Sequence, residues 1–400
     1  MRTHRQQERG CRKAWTGTWL LAAAWAVVAA LAGPVAPAAT GSGLEVTGEL
    51  MTEVAASGTG GTWDWAVREK LRIGLRAAPD PGAGSSMQGE LAFSSASQTG
   101  SPSPPGAPPM RVDRVAVQWN DGATRVTLGR QRIAWGVGYA FSPMDLFNPP
   151  NPLDPTGPRV GADALVVRRS TGPLSFWSLV AALPPPGPGA SEGSGRPRVG
   201  AIYGEHVGET DLRAAYLSDG ADGYHKIGAA ARGDLGSAGW SLGWHGEILH
   251  ERPWGSRVLA GAGANAATGG DRWQAVLGLE RSLLDGRLFT LTEYRYVAGG
   301  SLPSPARYLA AHAAYSLDEF TSLDAGVVVD LDGRAAWVEP SLKVAVDDRL
   351  RVELGAGFPA GPKEKVLSSL TGWGLLPDAV GTFGGPVPDV VAIARARYTF

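Results

Sequence analysis

The chain has 400 residues and a formal net charge of −1, and its 56 glycines and 30 prolines make up about a fifth of it. This glycine and proline content is too high for a mainly helical protein and too low for a typical disordered one. This charge balance argues against a nucleic-acid-binding protein, which would show a basic surface, so no nucleic-acid partner is expected.

Residues 1–38 have the three parts of a secretory signal peptide. Five basic residues and one acidic residue give this stretch a net charge of +4, which leaves −5 for residues 39–400. The apolar run WLLAAAWAVVAALAG follows, and the small residues Ala36–Ala38 offer a cleavage site. A retained membrane anchor is the alternative, but the run is short and closes on prolines. Cys11 is the only cysteine, so the cleaved chain would have no disulfide or thiol chemistry.

Apolar and polar residues alternate along almost all of residues 39–400. In residues 63–76 one face is mostly Trp, Val, Leu and Ile, and the other mostly Arg and Lys; residues 240–248, 335–347 and 349–358 repeat the pattern. Such runs have the length of a tilted strand crossing a bilayer, longer than strands of globular sheets. We therefore predict an all-β fold, a transmembrane antiparallel β-barrel with its apolar face outward and aromatic residues near the strand ends. A soluble sandwich or barrel with an apolar interior is the alternative.

The connections between strands predict the strand count. Tight turns are expected at 120–123, 170–173, 206–209, 284–286 and 346–348. Long loops are expected at 98–110, 133–162, 183–197, 298–306 and 359–388. The alternation of long and short connections fails once, and assigning RVLAGAGANAA to a loop restores it. The prediction is 18 strands, within a range of 16–20, in one barrel of residues 39–400.

The loop after the strand ending at Gly129-Arg130-Gln131 is the most unusual stretch. Its sequence, LGRQRIAWGVGYAFSPMDLFNPPNPLDP, is stiffened by prolines and rich in aromatic residues. The order G-R-Q, W-G, P-x-D and N-P resembles a segment of Gram-negative porin-like families, including alginate-export-type barrels, over 28 of 400 residues. One hypothesis is that loop 133–162 folds into the lumen as a constriction, and the alternative is that it packs over the rim. The residues assigned to the constriction are Arg130, Arg132, Trp135 and Asp145.

Basic residues on the polar faces are candidates for the pore lining. Facing water, such rows attract anionic or hydroxylated solutes. The eight candidates are Arg68, Lys70, Arg72, Arg76, Arg349, Arg351, Arg395 and Arg397. Neutralisation is the alternative for the first four, because Glu45, Glu49 and Glu53 share one face of the preceding strand. Since the first and last strands of a barrel meet, Arg395 and Arg397 are expected near the same glutamates.

The last ten residues, VAIARARYTF, alternate to the final position. Tyr398 and Phe400 share the apolar face, and the pattern resembles the recognition signal of outer-membrane barrel proteins. The resemblance implies insertion into the outer membrane, and contact with its lipid, by the barrel assembly machinery. Porins commonly form trimers, so a homotrimer is a further expectation.

Motifs for enzymatic or metal chemistry are weak. The histidines lack the spacing of a zinc site, and no nucleophile elbow or phosphate loop is present. His245 and Glu247, on one strand face, are interpreted as solvated lumen charges rather than an acid–base pair. The sequence predicts a porin-like channel for passive diffusion of small polar or anionic solutes, with no catalytic residue, metal or cofactor. A non-conducting structural or assembly barrel is the main alternative, and an outer-membrane enzyme a lesser one.

Overall fold

The described residues fold as one closed antiparallel β-barrel of eighteen strands. The computed structural model describes residues 44–60, 62–77, 86–99, 110–148, 161–183, 196–220, 223–237, 240–253, 270–300, 302–362 and 389–400. Each strand pairs with its neighbours in the chain, and β1 also pairs with β18 to close the sheet. The predicted count of 18 is confirmed, while the stretch RVLAGAGANAA lies outside the described residues.

The strands are mostly 8–16 residues long, as expected for tilted barrel strands. Their bounds are β1 Leu44–Thr59, β2 Thr62–Ala77, β3 Ser86–Thr99, β4 Met110–Asn120, β5 Thr124–Gln131, β6 Ala162–Ser170, β7 Ser175–Ala182, β8 Arg198–Val207, β9 Thr210–Asp219, β10 Tyr224–Ser237, β11 Trp240–Pro253, β12 Arg272–Leu283, β13 Leu288–Gly299, β14 Ala306–Ser316, β15 Thr321–Asp330, β16 Ala335–Ala345, β17 Leu350–Ala360 and β18 Val390–Thr399.

The two ends of the barrel differ in the length of their connections. The five predicted tight turns all lie at one end, together with the start of β1 and the end of β18. We call this the turn end. The longest connections, those after β3, β5, β7, β11 and β17, lie at the other end, which we call the loop end. Among the described residues, no helix is long and apolar enough to cross a membrane.

Strand β11 shows how the two faces of the wall differ. His245, Glu247 and Glu251 are buried and point into the barrel, whereas Trp244 and Ile248 lie on the outward face. The same division holds around the barrel, where more than thirty large apolar side chains are exposed on the surface or in the connections. Leu354, for example, is 50% exposed. The outside of the wall is thus apolar, as the alternation predicts, while the inside carries charged and hydrogen-bonding side chains together with apolar ones such as Leu249.

Aspartates fix several tight turns at the turn end. Asp318 Oδ1 accepts hydrogen bonds from the backbone N–H groups of Phe320 and Thr321 at 2.8 and 2.7 Å. Asp347 Oδ1 accepts from Arg349 and Leu350, both at 2.7 Å. These bonds hold the pKa of both aspartates below the ordinary range, because the N–H groups favour the ionised carboxylate.

The seam between β1 and β18 closes with the last residue. Gly48 and Phe400 exchange backbone hydrogen bonds of 2.7 and 2.9 Å, and the Phe400 ring covers the space above Gly48. A Cβ at Gly48 would lie 2.1 Å from the ring. Tyr398 stacks beside Phe400 with ring centroids 6.3 Å apart. Both aromatic side chains lie at the turn end, at the position expected for interfacial aromatic residues.

Candidate functional site

Residues 133–148, which follow β5 directly, lie inside the barrel. We call them the inner segment. Seven of its apolar side chains are buried: Ile133, Trp135, Val137, Ala140, Phe141, Met144 and Phe147. Of the rest of the predicted loop 133–162, residues 149–160 lie outside the described residues, and residues 161–162 lead into β6.

Glu247 of β11 holds the middle of the inner segment. Its carboxylate accepts hydrogen bonds from the backbone N–H groups of Val137, Gly138 (2.7 Å) and Met144 (2.9 Å), and from Ser142 Oγ at 2.9 Å. A carboxylate that accepts several N–H bonds is stabilised in its ionised form away from water. Glu247 therefore supplies the acceptors that this turn-rich stretch lacks within itself.

Glu293 of β13 holds the adjoining residues in the same way. Its two oxygens accept from the backbone N–H groups of Tyr139, Ala140 and Phe141 at 2.7–2.9 Å. His245 Nε2 lies 2.6 Å from Glu293 Oε1, and both side chains are fully buried. We call Glu247, Glu293 and His245, with the segment groups they bind, the carboxylate network.

Tyr139 extends this network toward the turn end. Its ring meets His245 edge-on with centroids 5.4 Å apart, and its hydroxyl donates to Glu280 at 3.3 Å. Burial and this hydrogen bond raise the pKa of Tyr139 to about 12. The neutral phenol is the form that donates this hydrogen bond to Glu280.

Arginines bind the carbonyl groups of the inner segment. Arg213 of β9 donates to the carbonyls of Trp135 and Gly136 at 3.1 and 3.0 Å. Arg198 of β8 donates to the carbonyl of Leu146 at 2.7 Å while it pairs with Asp219 at 3.0 Å. The wall thus offers acceptors to the N–H groups and donors to the carbonyl groups of one irregular stretch, as a buried backbone requires.

One apolar cluster holds both ends of the inner segment, and a second cluster holds its middle. Trp135 packs edge-on against Phe147 with centroids 5.0 Å apart, in a cluster with inward residues of β6–β9. Phe141 belongs to a second cluster with inward residues of β1, β12, β14–β16 and β18, among them the fully buried Trp337. Since the clusters lie on different arcs of the wall, the inner segment reaches across the interior.

Glycines on the wall make room for the large side chains of the segment. A Cβ at Gly200 would lie 2.6 Å from the Tyr216 carbonyl and 2.7 Å from the Trp135 ring. At Gly228 it would lie 3.0 Å from Met144 Cγ. Close packing at these two positions depends on the missing side chain.

The structure separates the four residues assigned to the constriction. Trp135 and Asp145 lie in the inner segment and are buried, so neither is a water-exposed residue at its mouth. Arg130 lies at the base of the loop, in β5, where it forms a bidentate salt bridge with Asp163 of β6 at 2.8 and 2.5 Å. Arg132 is exposed.

Three of the predicted pore-lining arginines surround one cavity. Arg351, Arg395 and Arg397 line a space of about 430 Å³ inside the barrel, which we call the turn-end cavity. It is also lined by His312, Asp324, Glu339, Lys343 and Glu353. Arg349 lies instead in the β16–β17 turn, because β17 begins one residue later.

The expected neighbours of Arg395 and Arg397 are present. Arg395 pairs with Glu53 at 2.6 Å and with Glu353 at 3.5 Å, and Arg397 lies 3.8 Å from Glu49. Acidic groups of β1 therefore neutralise part of the positive charge of β18.

The other four candidates lie on β2, and their side chains are outside the described residues. The backbone register places Arg68, Arg72 and Arg76 directly opposite Glu53, Glu49 and Glu45. Lys70 lies opposite Met51. The glutamate row of β1 thus runs between two basic strands, β2 and β18.

The interpretation of His245 and Glu247 as solvated charges is wrong, because the inner segment buries both. Glu293 was not singled out from the sequence at all. One usable signal was the glycine- and aromatic-rich stretch 135–141, whose buried N–H groups need acceptors from elsewhere. Within the ranges that the structure describes, no three His, Cys, Asp or Glu side chains group as metal ligands do.

Comparisons with known proteins place the fold but no family. No family model matches the sequence, and no curated protein matches it. Pseudomonas aeruginosa OccK11 (OpdR) is 9% identical with a TM-score of 0.59, covering 89% of this chain and 96% of its own. Acinetobacter baumannii OccAB4 is 8% identical with a TM-score of 0.59, covering 90% and 99%. The Pseudomonas aeruginosa outer membrane protein OpdK, also solved with vanillate, is 11% identical with a TM-score of 0.56, covering 89% and 99%.

At these identities the likeness establishes the barrel fold alone. It supports the porin-like architecture that the sequence predicts and gives no support to the resemblance to alginate-export-type barrels. A motif of 28 residues was too short to identify a family, and in the structure much of it serves to fill the interior.

Proposed function

We propose that this protein is an outer-membrane, porin-like channel through which small polar or anionic solutes diffuse passively. Residues 1–38 act as a cleaved signal peptide, and residues 39–400 form the barrel. The observation that carries the proposal is the polarity of the wall, since exposed apolar residues cover its outside while its inside holds buried charged residues and a cavity lined by charged side chains. Only a barrel that meets acyl chains outside and water inside needs that arrangement.

Aromatic residues mark the two membrane interfaces in this proposal. Trp63 and Trp65 lie at the loop end and are about half exposed, and Trp119 and Trp240 occupy the same position at the turn end. Tryptophan favours the headgroup region, because its ring is apolar and its N–H needs a partner. The longer connections would then face the outside of the cell and the tight turns the periplasm.

The inner segment narrows the channel near its middle. An eighteen-strand barrel is wide enough to leave water inside, and the segment takes up part of that space. Solutes would pass between the segment and the wall and then enter the turn-end cavity. There Arg351 and Arg397 lie among the carboxylates of Asp318, Glu319, Asp324, Glu339 and Glu353, and Lys343 pairs with Asp324. The bias toward anions would come from the arginine charge that these carboxylates leave unneutralised, since charged rings set pore selectivity.

The basic row of β2 contributes to this bias to the extent that Glu45, Glu49 and Glu53 leave it unneutralised. The test is Arg72→Glu, with selectivity measured from the reversal potential in a salt gradient. A reduced anion preference assigns β2 to the selectivity filter, and an unchanged preference removes it.

Partners follow from the same proposal. The apolar outside contacts outer-membrane lipid, and the barrel assembly machinery inserts the chain by its C-terminal strand with Tyr398 and Phe400. A homotrimer remains the proposed assembly.

A non-conducting structural barrel is the second candidate, and one observation favours it. The inner segment makes apolar contacts on two arcs of the wall through Trp135 and Phe141, as a plug would. Against it, the turn-end cavity is charged and open to water, which a structural filler does not require.

Planar-bilayer recordings of the refolded protein distinguish the two candidates. Stepwise currents with a measurable ion preference are expected for a channel. Liposome swelling with sugars and carboxylates of increasing size then gives the width of the passage. A correctly folded protein that produces no steps would overturn the channel and support the structural barrel.

A further inference from the structure

The outward face of β9–β12 carries a basic and aromatic patch at the loop end. We call it the rim patch: Tyr216 of β9, His225 of β10, His250 and Arg252 of β11, and Trp273 of β12. These strands are consecutive neighbours in the sheet. Lys226 and Glu251, the alternate residues, are buried on the inner face, so the patch residues face outward.

Each histidine of the rim patch stacks on an aromatic ring of the next strand. His250 and Trp273 are nearly parallel, with centroids 4.2 Å apart, and His225 and Tyr216 stack at 6.0 Å. The Tyr216 hydroxyl lies 2.8 Å from His225 Nδ1. Stacking fixes the orientation of each imidazole ring relative to its aromatic partner, while Tyr216 and Trp273 remain over 40% exposed.

Arg252 adds a permanent positive charge beside the two rings. It lies directly opposite His225 in the register and two residues from His250. The geometry of a sheet places these groups within about 7 Å of one another. Asp271, an acidic side chain of this rim, already contacts His250 Nε2 at 3.2 Å. Arg252 is exposed and makes no ion pair with a described residue.

Arg307 is a natural point of comparison on the same rim. It also faces outward near the loop end, opposite the exposed Tyr296 of β13. Its guanidinium is paired with Asp332 through two hydrogen bonds of 2.9 and 2.6 Å. The two arginines therefore differ. Arg307 is paired with Asp332, whereas Arg252 is exposed on the outward face and makes no ion pair with a described residue.

We propose that the rim patch binds the phosphorylated headgroup of an outer-leaflet lipid. Arg252, with the two histidines, would contact the phosphate oxygens, and Trp273, Tyr216 and Ile227 would cover the upper acyl chains. Charge complementarity selects a phosphate over a neutral headgroup, and the exposed apolar residues below select a lipid over a free anion. The inference depends on the proposed membrane location, because only then does this rim lie at headgroup level.

The test compares lipid binding by the full-length barrel in detergent with that of two matched variants. The probe is a glycolipid that carries two phosphate monoesters, titrated into the wild type, Arg252→Ser and Arg307→Ser and followed by native mass spectrometry. An exposed basic residue near anionic lipid contributes about a fivefold change in affinity. We expect Arg252→Ser to bind about fivefold more weakly and Arg307→Ser to bind as the wild type does.

Two further probes identify what is recognised. The same glycolipid without phosphates should bind the wild type as weakly as the diphosphorylated form binds Arg252→Ser. Inorganic phosphate at millimolar concentration should not displace the bound lipid. Displacement by phosphate alone, equal binding of the phosphate-free lipid, or equal losses in the two variants would each overturn the proposal.

Conductance in the same preparations separates this inference from the proposed function. Both variants should retain wild-type conductance, which also shows that they are folded. A wild type that conducts but binds no lipid refutes the rim patch and leaves the channel intact. A wild type that binds lipid through Arg252 but never conducts refutes the channel and leaves the rim patch intact.

Discussion

The carboxylate network and the turn-end cavity use the same residue types on the same inner face, with opposite results. In the network, Glu247 and Glu293 are buried, and backbone N–H groups occupy their oxygens. In the cavity, Glu353 and Arg397 remain partly exposed and are held only by other side chains. An inward glutamate thus holds the inner segment in place where that segment covers it, and it lines the turn-end cavity where the segment does not.

Removing the network carboxylates should produce the largest effect. Glu247→Ala combined with Glu293→Ala leaves at least six backbone N–H groups without acceptors, at about 1–3 kcal/mol for each that stays dry. We expect the inner segment to leave the interior, with a larger single-channel conductance and a lower unfolding temperature. Bilayer recording and heat-dependent mobility on gels measure the two effects.

Glu353→Ala is the matched control in the cavity. Because its pair with Arg395 is partly exposed, we expect a stability change below about 1 kcal/mol and an unchanged segment. Equal destabilisation by the double variant and by the control would show that the two regions do not differ as described.

Glycine substitutions should give effects of opposite sign beside the inner segment and in the turn-end cavity. Gly200→Ala forces the Trp135 ring or the Tyr216 carbonyl to move, with an expected loss of about 1–3 kcal/mol. Gly326→Ala in the turn-end cavity finds nothing nearer than 4.0 Å and should gain about 0.5–1 kcal/mol, because alanine suits a strand better than glycine. Urea unfolding of both variants checks the sign, and a loss at both positions would contradict the structure.

Charge reversal should separate the two regions by function. Arg397→Glu places a negative charge in the turn-end cavity, so the reversal potential should shift toward cations with little change in stability. Arg349→Glu, in the turn outside the cavity, should shift it much less. Equal shifts would mean that the general charge of this end, and not the cavity, sets selectivity.

The smallest expected change in stability comes from Asp347 in the β16–β17 turn, at the turn end of the barrel. The pKa of Asp347 is lowered by the backbone N–H groups of Arg349 and Leu350, so its contribution to stability is complete above the ordinary aspartate pKa. It disappears as the pH falls through the lowered folded-state pKa. Asp347→Ala should therefore lower the unfolding midpoint slightly at pH 7 and not at all in strong acid.

Asp348→Ala, on the neighbouring exposed aspartate, is the control for this turn. We expect no change at either pH. A loss for Asp347→Ala that persists undiminished in strong acid would show that the carboxylate charge is not what holds the turn.

Sequence patterns predicted the wall well, because strand alternation and turn chemistry are local. Asp318 and Asp347 mark turns by their own side chains, and the alternation up to Phe400 identifies the face of β18. The interior was harder to predict. Glu293 and Tyr139 are more than 150 residues apart, and nothing near either residue indicates that their two stretches meet.

Errors at single positions also have physical causes. Arg349 has the same parity as Arg351, but the strand starts one residue later because Asp347 holds the turn. Arg130 was assigned to the mouth of a constriction, and the β5–β6 register placed Asp163 beside it. Both outcomes depend on strand ends and pairing, which alternation does not specify.

The position of β1 in the seam constrains how the barrel can assemble. This strand finds one partner, β2, immediately after it, and the other, β18, only more than 300 residues later. Until β18 pairs with it, one row of N–H and C=O groups of β1 is unpaired and can form hydrogen bonds with a strand of another molecule. During synthesis and export the growing chain must therefore be kept from pairing with the wrong molecule, and the circle can be completed only as the final step.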